Sequence, residues 1–400
     1  VKIKSISSDK NHIADVKKSA EFVEKLFLEL GLQTKIATSG NSRPAVLAQT
    51  EINPDRKTVL LYAHHDVQPV GDINKWETDP FNPEIINGRL FGRGSGDNKA
   101  GVVIHHEVVK ELMKDLPVNI KIFIEGEEEI GSPCMAQFLD EFNKELEADV
   151  IVIADSGNIR IGTPTVTTSL RGLVDGFIEV DQPMRPVHSG VGGGVVPDAF
   201  MVLSKIIASF HNEKGELQIE GLTSSDMDVL ELKEEEIKKI FGSEDINLFE
   251  LDSISKRLWL EPALSILAID APSTKEAVNL VIPNAKAKVS LRLPPTEDPE
   301  HAMKMLEEHI MKNVPWGANV RFIPEAKGSG IVADPNKEFT KKLVQNFEEV
   351  FNTDAAYMGV GGSIPFANDF VEKFPNAELV LIGAADEEMG NAHAPNESVQ

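Results

Sequence analysis

The chain has 400 residues, 41% hydrophobic and 26% charged, and its 64 acidic against 40 basic residues give a net charge of −24. That length exceeds one ordinary core and predicts two domains of a globular protein, while the acidity argues against nucleic acid or an anionic membrane as a partner. A single cysteine, Cys134, rules out an internal disulfide framework, and no apolar run is long enough to span a bilayer.

No secretory leader is visible, so a cytoplasmic location is the default expectation. Val1 in place of Met, and an end only seven residues after His393, point to cropped termini.

Apolar residues at 3–4 spacing, from Ile13 through Val16, Ala20, Val23 and Phe27 to Leu30, predict an amphipathic helix over 11–30, stopped by Gly31. Strands follow near 45–50, 58–63, 118–124 and 150–154, with a helix from Lys99 to Met113 between the second and third. Strands alternating with helices indicate an α/β unit built on a mostly parallel, helix-covered sheet. After about residue 165 the pattern changes. A strand at 172–180, a helix at 197–211, strands at 264–270 and 285–293, a helix at 299–313 and a strand at 319–323 make a β-α-β-β-α-β order, the ferredoxin-like arrangement. Within it, 213–262 is a charged, partly helical insertion whose Lys233–Lys239 run reads as a solvated helical face. From about 335 the first pattern returns, with a helix at 336–351, a Gly-rich turn and a strand at 378–382. The expected domains are 1–165 and 334–400, forming one α/β domain, and an inserted 166–333.

The apolar run Val59–Leu61 breaks into His64-His65-Asp66. A buried parallel strand ending this way points its polar groups into the crevice where open α/β sheets place their chemistry. Four more stations share that context. Asp97 sits in Gly92-Arg-Gly-Ser-Gly-Asp-Asn-Lys99, Glu128 and Glu129 follow the strand 118–124, Asp155 follows 150–154, and His393 follows 378–382. Singly, each has an ordinary explanation: a helix N-cap for Asp97, solvated charge for the Glu127–Glu129 run, a turn for Asp155-Ser156-Gly157, a surface histidine for His393. Jointly these require five coincidences at strand ends. Converged carboxylates repel one another unless a cation sits among them. Two His with several carboxylates and no Cys suit zinc, manganese or cobalt. Five ligands with one shared carboxylate are the inventory of a two-metal centre, about 3.5–4 Å between ions, that activates water and polarises a carbonyl. His105 and His106 are expected to serve helix packing, and His301 and His309 to be exposed. No Gly-x-Ser-x-Gly elbow appears, and Gly192–Gly194 lacks the rest of a phosphate loop.

Tyr62-Ala-His-His-Asp-Val-Gln-Pro69, Gly92–Lys99, Glu125-Gly-Glu-Glu-Glu-Ile-Gly-Ser132 and the His393 stretch resemble the co-catalytic zinc metallopeptidases. That is the family of carnosinase, peptidase V, glutamate carboxypeptidase, acetylornithine deacetylase and succinyl-diaminopimelate desuccinylase. The resemblance spans nearly the whole chain and leans towards the carnosinase-like dipeptidases. It implies a mixed, mostly parallel zinc-peptidase-like sheet with helices on both faces, and an inserted α+β lid through which the chain homodimerises. It implies two divalent ions, foremost Zn2+ with Mn2+ or Co2+ as alternatives. His64 would ligate one and His393 the other, with Asp97 bridging both and Glu129 and Asp155 as the remaining terminal ligands. Glu128 would be the general base, and Asp66 would hydrogen-bond His64 and fix its orientation; His65 receives no role. His188 would reach a neighbouring active site, and Arg292, Gly362 and Ser363 would hold the substrate carboxylate. The implied activity is hydrolysis of dipeptides, with deacylation of N-acyl amino acids as the alternative. Two departures touch no ligand: the turn continues Lys99-Ala100-Gly101 where many members have Gly after Lys, and Asn279 stands one residue early relative to the family's pattern.

Overall fold

The computed structural model describes residues 1–362 and 365–400. Its central strand is Thr58–His64, flanked in parallel register by Asn119–Glu125 on one side and Val150–Ile153 on the other. Glu378–Leu381 adds in parallel beyond Val150–Ile153. All four are buried or half-buried along their length, without the in–out alternation of a half-exposed strand, because both of their faces are covered. Leu60 and Tyr62 pack with Phe123, Met135, Phe138, Phe366 and Phe370, under the helices Met135–Glu141 and Pro365–Lys373. Leu61 and Ala63 pack the other way, with Ala20, Val23, Phe27, Val102 and Val109 of the helices Ile13–Glu29 and Lys99–Leu112. The result is a helix–sheet–helix sandwich.

Among the described residues the full sheet has nine strands, of which four escape a pattern-based reading. Gln33–Ala37 is an edge strand with alternating exposure, and it pairs antiparallel with Ala45–Gln49. Thr165–Leu170 is polar in sequence (Thr-Val-Thr-Thr-Ser-Leu) yet buried throughout. Its Thr168 hydroxyl donates to the Met358 carbonyl of Ala356–Val360, a strand lying where only a Gly-rich turn is expected. The short strand Ile331–Val332 closes this edge.

The second sheet runs Ala263–Asp270, Asn284–Leu293, Gly172–Asp181, Val320–Gly328, antiparallel throughout. That is the ferredoxin-like strand order. Every second residue of Gly172–Asp181 is buried, from Gly172 to Val180, against the helices Ala199–Ser209 and Pro299–Lys312. Asp198 caps the first helix through Phe200 N and Met201 N, and Asp298 caps the second through Glu300 N. His309 is buried rather than exposed. It stacks on Phe210 at 5.2 Å and lies 3.0 Å from the Ser209 hydroxyl, because an aromatic ring can share an apolar helix interface while its nitrogen finds a partner. His301 is half-exposed beside Glu297, at 2.8 Å.

The insertion is not only a solvated decoration. Helix Glu234–Ile240 exposes Glu234 and Glu235 but buries Ile237 with Leu232, Trp259 and Met358. Leu230 N donates to Tyr357 O, so the insertion packs on the first sheet's edge beside Gly361.

Behind the central strand, the His105 ring is buried and its Nε2–H donates to Tyr62 O at 2.9 Å. Burial pushes that imidazole from 6.5 down to about 4. The unfolded chain therefore binds this proton near pH 6.5 and the folded chain only near pH 4. The stability involved is complete above 6.5 and is lost as pH falls towards 4, by about 1.4 kcal/mol per pH unit. His65 has the same sign. Glu125, raised by burial to about 8, has the opposite one, favouring the folded state as pH falls from 8 to 4.5. His105→Gln is therefore expected to flatten the acid limb between pH 6.5 and pH 4 by about one proton's slope. Urea titrations of the metal-free chain across that range measure it, and an unaltered slope would refute the assignment.

Candidate metal centre

Because the four central strands are parallel, their carboxyl ends lie along one edge, and the loops leaving them converge there. Thr58–His64 delivers His64 directly. Asn119–Glu125 runs into the one-turn helix Glu128–Ile130, which ends at Gly131 in the left-handed region. Val150–Ile153 delivers Asp155 two residues on, and Glu378–Leu381 leads to the loop carrying His393. Asp97 arrives from the Gly-rich turn before Lys99–Leu112, across a cis Asp97–Asn98 bond. Two glycines permit the close approach. A Cβ at Gly101 would lie 2.4 Å from Asn98 Oδ1 and 2.8 Å from Ala154 O, and one at Gly126 would lie 2.3 Å from Pro44 O.

The six residues meet. His64 Nε2 lies 3.0 Å from Asp97 Oδ1, 3.3 Å from Asp155 Oδ1 and 3.9 Å from Glu128 Oε2. His393 Nε2 lies 2.9 Å from Asp97 Oδ2 and 3.1 Å from Glu129 Oε2. Asp97 thus turns one oxygen to each imidazole. Ligand atoms of His64, Asp97 and Glu129 lie within 4.8 Å of one another, as do those of His64, Glu128 and Asp155. His64, Asp66 and Glu129 are buried, while His393 stands at the rim with its side chain 57% exposed.

Neighbouring residues fix the orientations. His64 Nδ1 is 3.3 Å from Asp66 Oδ1 and 3.2 Å from Asp66 O, which leaves Nε2 facing the cluster. Asp66 Oδ2 also accepts from Glu129 N at 3.1 Å. Gln68 holds Glu129 twice, its N donating to Oε1 and its Nε2 to the Glu129 carbonyl. Asn98 donates to Ala154 O and to Asp155 Oδ1 at 2.8 Å. The helix N-cap position belongs to Asn98, whose side chain makes no cap bond, so Asp97 is not spent as a cap. The sequence reading missed Gln68 and Asn98, although both lie inside the motifs that carry the ligands. His65 is buried with Nε2 2.9 Å from Pro44 O, and packs the loop under the site.

The electrostatics are those of a crowded anionic cluster. Burial, then Asp155, pushes the Glu128 carboxyl well above the ordinary range. Burial raises Glu129 and Asp155 too, with Asp97 adding to both. Asp97 is held below the ordinary range against its burial by hydrogen bonds from His393 and His64. His393 rises to about 10 through its bonds to Asp97 and Glu129. Protons here do what a cation would do. Glu129 Oε2 is moreover buried, and among the described residues no donor other than His393 Nε2, 3.1 Å away, stands near it, an arrangement that suits a carboxylate oxygen shared with an ion. The donor set of imidazole and carboxylate, with no thiolate, fits a divalent cation.

The remaining candidates are not brought to this cluster by the contacts seen. His188 lies in the short strand Val187–His188, exposed, with Nδ1 accepting from Gly190 N. Arg292 is half-buried in the second sheet, opposite Leu173 and Ala263, and close enough to Arg171 for their charges to interact. Gly362 is exposed after Ala356–Val360. Ser363 lies outside the described residues.

Residues 60–400 match the peptidase family M20/M25/M40. The chain is 32% identical to a cysteinylglycine-S-conjugate dipeptidase of Corynebacterium striatum, over 97% of this chain and 87% of that one. It is 29% identical to a Beta-Ala-His dipeptidase of Homo sapiens, over 89% of this chain and 74% of that one. The crystal structure of human carnosine dipeptidase 1 superposes with a TM-score of 0.80 at 25% identity, covering 100% of this chain and 89% of that one. The Saccharomyces cerevisiae dipeptidase Dug1p gives 0.79 at 25%, with the same coverage. Ligand cluster, fold and sequence agree that this chain is a metallopeptidase of the M20/M25/M40 family.

Proposed function

We propose that this chain hydrolyses dipeptides with two divalent ions held at the sheet edge. The observation that carries the reading is Asp97, which presents one carboxylate oxygen to His64 and the other to His393, with Glu128 beside them. Asp155 would complete the His64 site and Glu129 the His393 site. Zn2+ fits this donor set best, with Mn2+ and Co2+ as alternatives. When bound, such a pair acidifies water and polarises a carbonyl.

The chain's own residues supply the rest. Glu128, 3.9 Å from His64 Nε2 where Asp97 and Asp155 stand closer, is set back from the ligand positions and free to act as base. It takes a proton from the attacking water as oxygen bonds to the scissile carbonyl carbon, then returns it to the amide nitrogen as the C–N bond breaks. Asp66 keeps His64 presenting Nε2. Arg292, with Gly362 and Ser363, would bind the carboxylate of the substrate as a charged fork. The inserted segment 166–333 would act as the lid of a catalytic domain made of 1–165 and 334–400. His188 would serve the active site of a partner copy and stabilise the oxyanion there. A homodimer through the lid is supported by its outer strand Ala263–Asp270, an edge of the second sheet with Leu267 and Ile269 exposed at 55% and 51%. Among the described residues no helix is long and apolar enough to cross a membrane.

The named relatives are dipeptidases, and the N-acyl-amino-acid deacylase alternative is not favoured. Assaying unblocked dipeptides beside N-acetyl amino acids, each with zinc and with manganese, decides between them. Chelator-sensitive hydrolysis of the dipeptides is expected to dominate; preference for the N-acetyl substrates would reverse the reading.

A further inference from the structure

Arg93 and Glu397 form a buried charged pair in contact with the ligand loops, each about 1% exposed, with Arg93 Nη1 2.6 Å from Glu397 Oε2. Neither touches a ligand atom of the centre. Both reach its ligands through the backbone. Glu397 Oε2 accepts from Gly94 N at 2.9 Å, and Oε1 accepts from Gly96 N and Asp97 N at 3.0 Å each. The carboxylate therefore fills the nest of N–H groups made by the turn that carries Asp97, the kind of concavity that elsewhere cradles an anion. From the other end of the pair, Arg93 Nη2 donates to the His393 carbonyl at 3.1 Å, to Pro69 O at 3.2 Å and to Ala394 O at 3.4 Å. His393 needs such a hold, because its backbone sits at φ 63°, the left-handed region that a residue with a Cβ rarely occupies.

We propose that Arg93 and Glu397 are positioning residues that set the Asp97–His393 half of the metal centre. One buried ion pair spans 304 residues of sequence and fixes two ligands at once, the Asp97 amide through Glu397 and the His393 carbonyl through Arg93. Neither ligand has that support within its own segment. The inference rests on the two-ion reading given above. It goes beyond it in assigning the geometry of the His393 site to a pair that contacts neither ion nor substrate.

A structural role alone would also follow from so buried a pair, and a second pair in the same segment separates the two. Arg89 Nη2 lies 2.7 Å from Asp386 Oδ2, and its Nε and Nη2 donate to Ser398 Oγ and O. It anchors the same stretch of chain, and among the described residues it makes no hydrogen bond to the Asp97 turn or to His393. The test is metal titration of the chelator-stripped full chain with Co2+, read by bound metal per chain and by the cobalt absorption bands, with folding checked by circular dichroism and thermal midpoint. Glu397→Gln and Arg93→Lys are expected to keep one tight ion and to weaken the second about 10–100-fold, the range seen when ligand-orienting partners are removed. Asp386→Asn is expected to lower the thermal midpoint while still binding two ions as the native chain does. Unchanged binding of the second ion in both Glu397→Gln and Arg93→Lys overturns the proposal. So does equal loss of that ion in Asp386→Asn, because the effect would then be general loosening. A native chain that binds only one Co2+ would instead overturn the two-ion reading, an outcome seen before any variant is compared.

Discussion

Glu128→Gln is expected to bind divalent ions as the native chain does and to lose on the order of 10²–10⁴-fold in kcat, the range a positioned general base supplies. The substitution conserves shape and removes only the ability to take a proton. Glu128 stands further from His64 Nε2 than Asp97 and Asp155 do, so its loss is expected to leave the Asp97, Asp155 and Glu129 oxygens where they are. In the metal-free chain burial and Asp155 hold its carboxyl protonated above the usual range, and a nearby cation would return it to the ionised form a base requires. Measuring metal content beside kcat separates the two roles. Retained turnover would remove Glu128 from the mechanism, and lost metal would make it a ligand.

Asp97→Asn is expected to abolish turnover by a different route, through the ions themselves. Residues that only orient ligands cost about 10–100-fold in metal affinity when removed, so losing the shared ligand should exceed that. The amide leaves His64 and His393 without their common anion, and the His393 imidazolium, held up to about 10 by Asp97 and Glu129, should titrate at lower pH. Bound metal per chain after dialysis, with the His393 titration followed by NMR in the metal-free chain, checks both. A variant that keeps two ions at native affinity would show that Asp97 does not bridge.

Much of the centre is legible because its chemistry is local. A strand that ends in His64-His65-Asp66, a turn that presents Asp97 and a loop that presents Glu128 and Glu129 are each short segments, and parallel strands share one carboxyl edge. The ferredoxin-like order was equally open, since strands 172–181 and 284–293 alternate apolar and polar residues around amphipathic helices. The strand Thr165–Leu170 was not legible. Its Thr and Ser side chains look like solvent-facing residues, and only pairing on both sides satisfies their burial. His309 and the insertion failed for the same reason, since what covers Ile237 and His309 comes from distant segments.

The amino-acid sequence by itself determined which residues can take part: the two imidazoles, the four carboxylates and the strand ends that carry them. Only the tertiary structure decided their mutual aim. It set Asp97 with one oxygen on each histidine, freed Asn98 to hold Asp155, and joined Arg93 to Glu397 across the chain. The reason is physical. Residue type and local periodicity are properties of neighbours in sequence, whereas a distance of 2.9 Å between His393 and Asp97 is fixed by how four strands, two loops and a buried ion pair pack together.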